Sequence, residues 1–388
     1  DLGMITKFDT LYAGHVDMEN VGYGGIPVND RHFPNSYLVT ALEKASNIAK
    51  TMDGLGYDTM WMAEHHFQPE GYECIPNVLM LAVHLAHMTE NIRLGCGFNI
   101  APMWHPLRLA EDYATADVLT EGRVVFGVGR GYHTREVETF GSPLLDQAGN
   151  RELFEEQVDI MFKAFNQESF SHRGKNYVIP PDVPYRGYEL KEITLVPRPV
   201  NLPVECWQPI VSASERGLDF MARHKMKGII GGGAAAGGAS DEVIYSWQKM
   251  QEKYGTETEL GGNLCVGFSF HIAETEEKAI EEARPFFEEN MKMFAPLGFV
   301  RGLSENQINA LDSGSAARSA GLPTLEQSVE AGNWLVGTPE SITEKLMKVQ
   351  DRYPGLDMVN VGQVIGTPQE VIEEQLQKFG EDVIPHFS

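Results

Sequence analysis

Cysteine is scarce in this chain, with four among 388 residues. Cys74, Cys96, Cys206 and Cys265 stand far apart, and none belongs to a C-x-x-C pair. That spacing excludes the common zinc and dithiol motifs and gives no sign of a disulfide framework. Four reduced thiols in a cytoplasmic protein is the expectation. Positive charge is also in short supply: 31 Lys and Arg stand against 55 Asp and Glu, for a formal net charge of -24. Such a surface repels nucleic acid and anionic membrane, so neither is expected as a partner. No apolar run reaches the roughly 18 residues that a membrane helix needs. No G-x-G-x-x-G follows the first strand-like segment, and the glycine-rich tract 231–238 lacks the lysine of a P-loop. A nicotinamide-binding unit is therefore not visible.

What is present is a regular alternation of short apolar runs and amphipathic segments. Hydrophobic residues make up 42% of the chain, enough for a large core. Strands are expected at Met4–Tyr12, Asp58–Ala63, Ile92–Phe98, Arg123–Val128, Gln208–Ala213, Met226–Ile230, Asn263–Ile272 and Leu356–Gln363. A helix or helix-like segment follows each. Ser36–Leu55 shows one apolar face (Leu38, Leu42, Ala45, Ala49, Met52), and Pro106–Leu119 another (Leu107, Ala110, Ala114, Val118). Thr338-Pro339 opens a late helix as N-cap and first residue. Thr367 and Glu370 are spaced as a capping box for the last one. Strands that do not alternate strictly belong in a parallel sheet covered on both faces. Eight such units give a (β/α)8 TIM barrel, with an open doubly wound sheet as the other architecture to weigh. We expect a single domain over 1–388, with insertions at about 166–206 and 295–335. These insertions are expected to carry the substrate-facing residues.

In a barrel, chemistry sits where strands end. Strand 2 ends in Trp61-Met62-Ala63-Glu64-His65-His66-Phe67. A carboxylate beside two imidazoles suits acid–base work, while strand capping or a subunit contact explains the same residues equally well. No third ligand is evident, so no metal is expected. Gly95 and Gly97 on strand 3 mark a close ligand approach or, more simply, packing around small residues. Arg130, between Gly129 and Gly131 after strand 4, suits a phosphate, and Arg151 could join it. Surface ion pairs are the plainer account of each. Ser212 and Ser214 precede a helix whose first N–H groups are free, which makes an anion site or an ordinary cap. The glycine tract after strand 6 reads as a mobile loop.

Together these stretches resemble bacterial luciferase and its flavin-dependent relatives, in order and spacing along nearly the whole chain. Glu64-His65-His66-Phe67 is similar to that family's E-H-H-F strand end, and His105-Pro106-Leu107-Arg108-Leu109-Ala110-Glu111-Asp112 to its H-P-x-R-x-x-E-D helix start. The run from Gly122-Arg123 to Arg130-Gly131 resembles its G-R-x-x-F-G-x-x-R-G strand, and Val336-Gly337-Thr338-Pro339 its V-G-T-P motif. The resemblance implies a flavin-dependent monooxygenase. It would take reduced FMN from a separate NAD(P)H:flavin reductase and oxygenate a small organic substrate with O2 through a C4a-(hydro)peroxyflavin. By matched position, Arg130, Arg151 and Ser214 would bind the phosphate with the N–H groups of Glu215 and Arg216, near Ser212. Glu64, Gly97, Phe98, Asn99 and Tyr132 would line the ring and ribityl chain, with a non-prolyl cis peptide at Gly97–Phe98. His65 would be the catalytic acid or base, tuned by Glu64 or the flavin, and His66 would lie toward a subunit contact. The family further implies a homodimer through parts of Ser36–Leu55 and Pro106–Leu119, and a lid at 295–335. Where luciferase has a reactive cysteine this chain has Gly129, which argues against a long-chain aldehyde and light emission. Two alternatives are kept: a coenzyme F420-dependent oxidoreductase, and a flavin-binding protein without catalysis.

Overall fold

The computed structural model describes residues 5–231 and 238–387. Eight parallel strands form a closed barrel: β1 (Lys7–Tyr12), β2 (Thr59–Met62), β3 (Arg93–Cys96), β4 (Val124–Gly129), β5 (Cys206–Pro209), β6 (Lys227–Ile230), β7 (Leu264–Ile272) and β8 (Met358–Gly362). β1 lies between β8 and β2, and the ring shuts where Cys206 and Trp207 of β5 pair with Phe126 and Gly127 of β4. Around it run α1 (Thr40–Asp53), α2 (Val78–Ala86), α3 (Pro106–Leu119), α4 (Gln147–Asn166), α5 (Glu215–Arg223), α6 (Asp241–Lys253), α7 (Glu276–Phe294), α8 (Pro339–Arg352) and α9 (Gln369–Asp382). No helix among the described residues is long and apolar enough to cross a membrane.

The barrel interior is filled, not hollow. Trp61 and Trp207 meet edge to face at 5.6 Å, packed with Val125, Cys265 and Met358. The Trp61 indole N–H donates to Asp9 Oδ2 at 2.8 Å, and full burial pushes the Asp9 carboxyl well above the usual carboxylate range. Gly95 makes room for this filling, since a Cβ there would lie 2.4 Å from the Trp61 ring. For Gly95, then, packing is the operative reading.

Several local expectations need correction. The segment 36–55 is two helices, Asn35–Leu38 and α1, broken at Val39. The buried stripe of α1 is Ala41, Ala45, Ile48, Ala49 and Met52, and Leu42 sits off that stripe at 42% exposure. On α3, Val118 is likewise exposed, whereas Ala110, Tyr113 and Ala114 are buried. Strand 5 starts and ends earlier than expected, because residues 206–207 meet β4 and the chain beyond Pro209 leaves for the cap of α5. Thr367 and Glu370 make no capping box. The Thr367 hydroxyl donates to Val364 O at 2.7 Å, and the first N–H of α9 is met by Asp17 Oδ1 at 2.9 Å from across the fold. Thr338 does cap α8, accepting from Ser341 N at 3.2 Å.

The stretch 166–206 carries two small hairpins and climbs the outside of α3 and α4. Gln157 of α4 donates to Tyr177 Oη at 3.1 Å, and Tyr177 packs edge-on against His105 at 5.3 Å. These contacts put Tyr177 beside the outer helices and not inside the barrel. The stretch 295–335 is not irregular. It holds the short helices Glu305–Ala310, Gly314–Ser319 and Leu325–Ala331, and leads into a strand, Trp334–Gly337, that pairs with the second half of β7. The glycine tract expected to be mobile falls largely on 232–237, outside the described residues.

Gly127 lies where β3, β4 and β5 crowd together, and a Cβ there would sit 2.0 Å from Cys96 O, a backbone atom that cannot swing away. Gly127→Ala is expected to destabilise the fold by about 1–3 kcal/mol through overpacking. Urea unfolding checks this, and an unchanged midpoint would remove the steric argument.

Candidate functional site

The chain leaving β2 turns at once, and its side chains are fixed by what they bond. Glu64, His65 and Glu73 are all at most 5% exposed. Glu64 faces away from His65. Its Oε1 accepts from Ile100 N at 3.0 Å and Trp104 Nε1 at 2.8 Å, and its Oε2 meets His66 Nε2 at 2.6 Å. Glu64 therefore pins the loop after β3, and the expectation that it tunes His65 is wrong. The partners of His65 come from two other segments. Nε2 lies 2.8 Å from Glu73 Oε2, and Nδ1 lies 3.1 Å from Glu136 Oε2. Tyr132 Oη is 3.3 Å from Nε2.

The two carboxylates are themselves tied down. Glu73 also accepts from His133 Nε2 at 3.0 Å and Gln68 Nε2 at 3.1 Å. Glu136 also accepts from His66 N at 2.8 Å and Gln68 Nε2 at 3.3 Å. Burial by itself would depress the His65 pKa, but the Glu73 carboxylate, with Glu136, outweighs it and lifts the imidazole to about 10. Burial likewise disfavours the Glu73 anion, yet His65 and His133 hold it below the usual carboxylate range. Burial, then the nearby Glu73 and Glu136, raise the Tyr132 phenol well above its ordinary value. One donor atom each from His65, His133 and Glu136 lies within 4.8 Å of the others. Charge pairing among the same atoms accounts for that closeness, and we assign no metal here.

A second cluster sits where β4 and β5 end. The Arg130 side chain is fixed by Nε to Asn150 Oδ1 at 2.8 Å and Nη2 to Gln147 O at 3.2 Å. Arg151, in the first turns of α4, faces α5, with its Nη1 3.6 Å from where a Cβ of Gly217 would be. Burial and then the Arg151 charge lower the pKa of Arg130, so the two cations are close enough to repel. Arg216 also lies near and pairs with Glu155 at 2.8 Å. Among the described residues the Arg151 side chain has no hydrogen bond or ion pair. Ser214 caps α5, its Oγ accepting from Gly217 N at 3.3 Å, and Ser212 and Glu215 are exposed beside it. The free N–H groups of α5 add a positive end to the same place. In a chain of net charge -24, an unpaired guanidinium among cations fits an anion such as a phosphate.

The barrel mouth itself is largely apolar. A cavity of about 170 Å3 is walled by Leu11, Trp61, Phe98, Ile229 and Phe268, with Gly97, Gly231, Gly267 and Gly362 leaving it space. Its polar edge is Ser269, Asn360 and Gln363, and no charged side chain lines it among the described residues. The Gly97–Phe98 peptide is cis. Asn99 is fully buried, donates to Gly127 O at 3.0 Å, and leaves its Oδ1 without a partner. The 295–335 stretch reaches this face: Phe299 packs edge-on against Tyr132 at 4.6 Å, and Arg301 donates to Val211 O at 2.8 Å. A roomier groove of about 320 Å3, with His271, Lys278 and Glu374 in its wall, lies outside the barrel and shares only Gln363 with the mouth.

The expected residues thus fall into groups. His65 and Tyr132 belong to the carboxylate network, Gly97 and Phe98 to the cavity wall, and Asn99 to the buried layer behind it. Arg130, Arg151, Ser214 and Arg216 share the cationic cluster, while Glu64 is turned away. Glu73, Glu136, His133 and Gln68 were missed. The one usable signal was His133 followed three residues later by Glu136, just beyond the strand 4 motif.

Comparison with known proteins bears on this arrangement. The model of the luciferase-like monooxygenase family matches residues 23–355. Limonene 1,2-monooxygenase of Rhodococcus erythropolis is 23% identical over 363 residues, 90% of this chain and 82% of that protein. The alkanal monooxygenase alpha chain of the Kryptophanaron alfredi symbiont is 29% identical over 181 residues, 46% of this chain and 48% of that one. The matches to the first four curated relatives span only 34% to 48% of those proteins' lengths. The oxygenating constituent of 3,6-diketocamphane monooxygenase from Pseudomonas putida, solved with FMN, has the same fold. It aligns at a TM-score of 0.72 and 18% identity, over 100% of this chain and 99% of that one.

The His65 network has a consequence for stability. A raised histidine pKa contributes fully below the unfolded value of 6.5 and loses that contribution as pH climbs toward about 10. Lys44, drawn down to about 8 chiefly by burial, acts in the opposite sense above that pH. The melting temperature should therefore fall between pH 6.5 and 8, and Glu73→Gln should flatten that slope. Equal slopes in both proteins would show that the pair does not couple to folding.

Proposed function

The chain belongs to the luciferase-like monooxygenase family, and from that premise we propose that it is a two-component monooxygenase that uses reduced FMN and O2 on a small organic substrate. The observation that carries the reading is the unpaired Arg151 guanidinium beside Arg130 at the N-terminus of α5. When bound, reduced FMN supplies the electrons that activate O2. Arg130, Arg151, Ser214 and the first N–H groups of α5 hold the phosphate, and Arg216 adds positive charge nearby. Phe98 and Gly97 offer a flat apolar wall to the ring, and Asn99 braces that wall from behind through Gly127 O. Tyr132 and His65 manage protons at the reacting edge. The 295–335 stretch acts as a lid that excludes water, with Phe299 as its contact on Tyr132.

The absence of charged groups in the mouth favours a neutral substrate. In this reading a separate NAD(P)H:flavin reductase delivers the flavin. Val39 and Leu42 near the start of α1, and Val118 and Leu119 at the end of α3, all 42–51% exposed, favour a homodimer through these helices. The F420-dependent alternative draws on likeness of fold alone, for example to an F420-dependent secondary alcohol dehydrogenase at 16% identity and a TM-score of 0.66.

Arg151→Ala should weaken FMN binding by roughly 10- to 100-fold, the worth of one charge-assisted hydrogen bond to phosphate, and leave riboflavin binding unchanged. Equal losses for both flavins in a titration would remove the phosphate assignment. With photoreduced FMN, oxygen uptake should depend on a small neutral carbonyl, sulfur or aromatic compound. His65→Ala should slow that turnover by roughly two to four decades. Full activity in the variant would exclude His65 from proton transfer.

A further inference from the structure

We infer that Glu73 and Glu136 are positioning residues that hold His65 as a doubly protonated imidazolium, so that His65 enters the reaction as a proton donor and not as a base. The role in turnover rests on the flavin reading above, but the clamp itself rests on geometry alone. Both ring nitrogens of His65 face carboxylate oxygens, Nε2 at 2.8 Å and Nδ1 at 3.1 Å. A neutral imidazole has one N–H, and its other nitrogen would turn a lone pair toward an anionic oxygen. With both carboxylates ionised, only the cation satisfies both contacts at once. The two glutamate side chains are 2% exposed, so water does not compete for their oxygens.

The titratable groups that face the ring are Glu73, Glu136, Tyr132 and His133. Tyr132 Oη sits beside Nε2, and the His133 ring lies at 5.0 Å, nearly perpendicular. Glu64, the neighbour in sequence, is occupied by His66, Ile100 and Trp104. Gln68 donates to both clamping carboxylates, which fixes their separation. A general base needs a nitrogen lone pair aimed at the reactant, and this ring has none to offer. Tyr132, whose O–H reaches Glu73 Oε2 at 3.4 Å in the resting network, provides the outlet once a bound reactant draws that proton away. Its O–H proton passes to an anionic oxygen of the bound reactant, the His65 Nε2 proton replaces it, and the ring is left neutral until solvent restores the proton.

The test is a pH titration by long-range 1H–15N NMR on the flavin-free protein with 15N-labelled histidine, using His65→Ala to assign the signal. Both His65 nitrogens should keep the protonated signature past pH 8.5, whereas Glu73→Gln should lower the midpoint by roughly two pH units or more. Glu136→Gln should move it in the same direction. Wild-type His65 titrating near 6.5 would overturn the proposal, and that measurement needs no variant to fold. In turnover, Glu73→Gln should add a loss of rate as pH rises through the neutral range that wild type lacks, and identical profiles would count against the donor role. If the NMR signature holds while FMN supports no turnover, the clamp stands and the flavin reading falls. If turnover occurs but His65 titrates in its ordinary range, the flavin reading stands and the clamp falls.

Discussion

The closure of eight parallel strands into one hydrogen-bonded ring is the constraint on which the rest of the molecule depends. Every strand then ends at the same mouth, and residues far apart in sequence are forced together there. His65 and Glu136 are 71 positions apart, yet they meet at 3.1 Å because β2 and β4 both bind β3. Arg151 reaches α5 because β5 closes onto β4 through Cys206 and Trp207. The filling of the barrel sets how far that mouth reaches inward. Trp61 and Trp207 occupy the interior below, and the Trp61 ring also appears in the wall of the mouth cavity. One side chain thus belongs to both the core and the site.

The legible part of this arrangement was whatever periodicity and glycine spacing record. Eight strands were readable because a parallel strand covered on both faces must be largely apolar, as β4 is throughout and β2 and β8 are apart from Thr59 and Asn360. Helix ends were readable where a cap is local, as at Thr338, and misread where it is not, as at Thr367. No pattern within α9 could reveal that Asp17, more than 350 residues earlier, supplies its cap. Leu42 and Val118 were misread for a related reason. Periodicity reports an apolar stripe but not which edge of it the barrel covers, and these two side chains fall on the uncovered edge.

The site followed the same division. His65, Arg130, Arg151 and Ser214 stand out because each adjoins a strand end or a helix start. Glu73 and Glu136 are two of 55 acidic residues, and beyond the His133–Glu136 spacing nothing in their neighbours marks them as buried. Glu136 sits in Thr134–Val137, which reads as a solvated helical turn, yet it is 2% exposed. A carboxylate is buried only when cations and donors compensate it, and those partners arrive from other segments. The closer a residue's role is tied to compensation at long range, the less its own sequence neighbourhood can announce it.

The two polar clusters have opposite electrostatic tasks, and the overall charge explains why they are built differently. At -24, the distant field of this protein opposes an approaching anion, so an anionic ligand needs local cations that are not already neutralised. Arg151 meets that need by having no partner, and its repulsion with Arg130 is relieved when negative charge arrives between them. At the His65 end the requirement is reversed. A positive ring in a dry pocket would shed its proton unless anions surround it, and Glu73 and Glu136 do so with every oxygen committed. One cluster is left unsatisfied so that it can bind, and the other is fully satisfied so that a charge can persist without water.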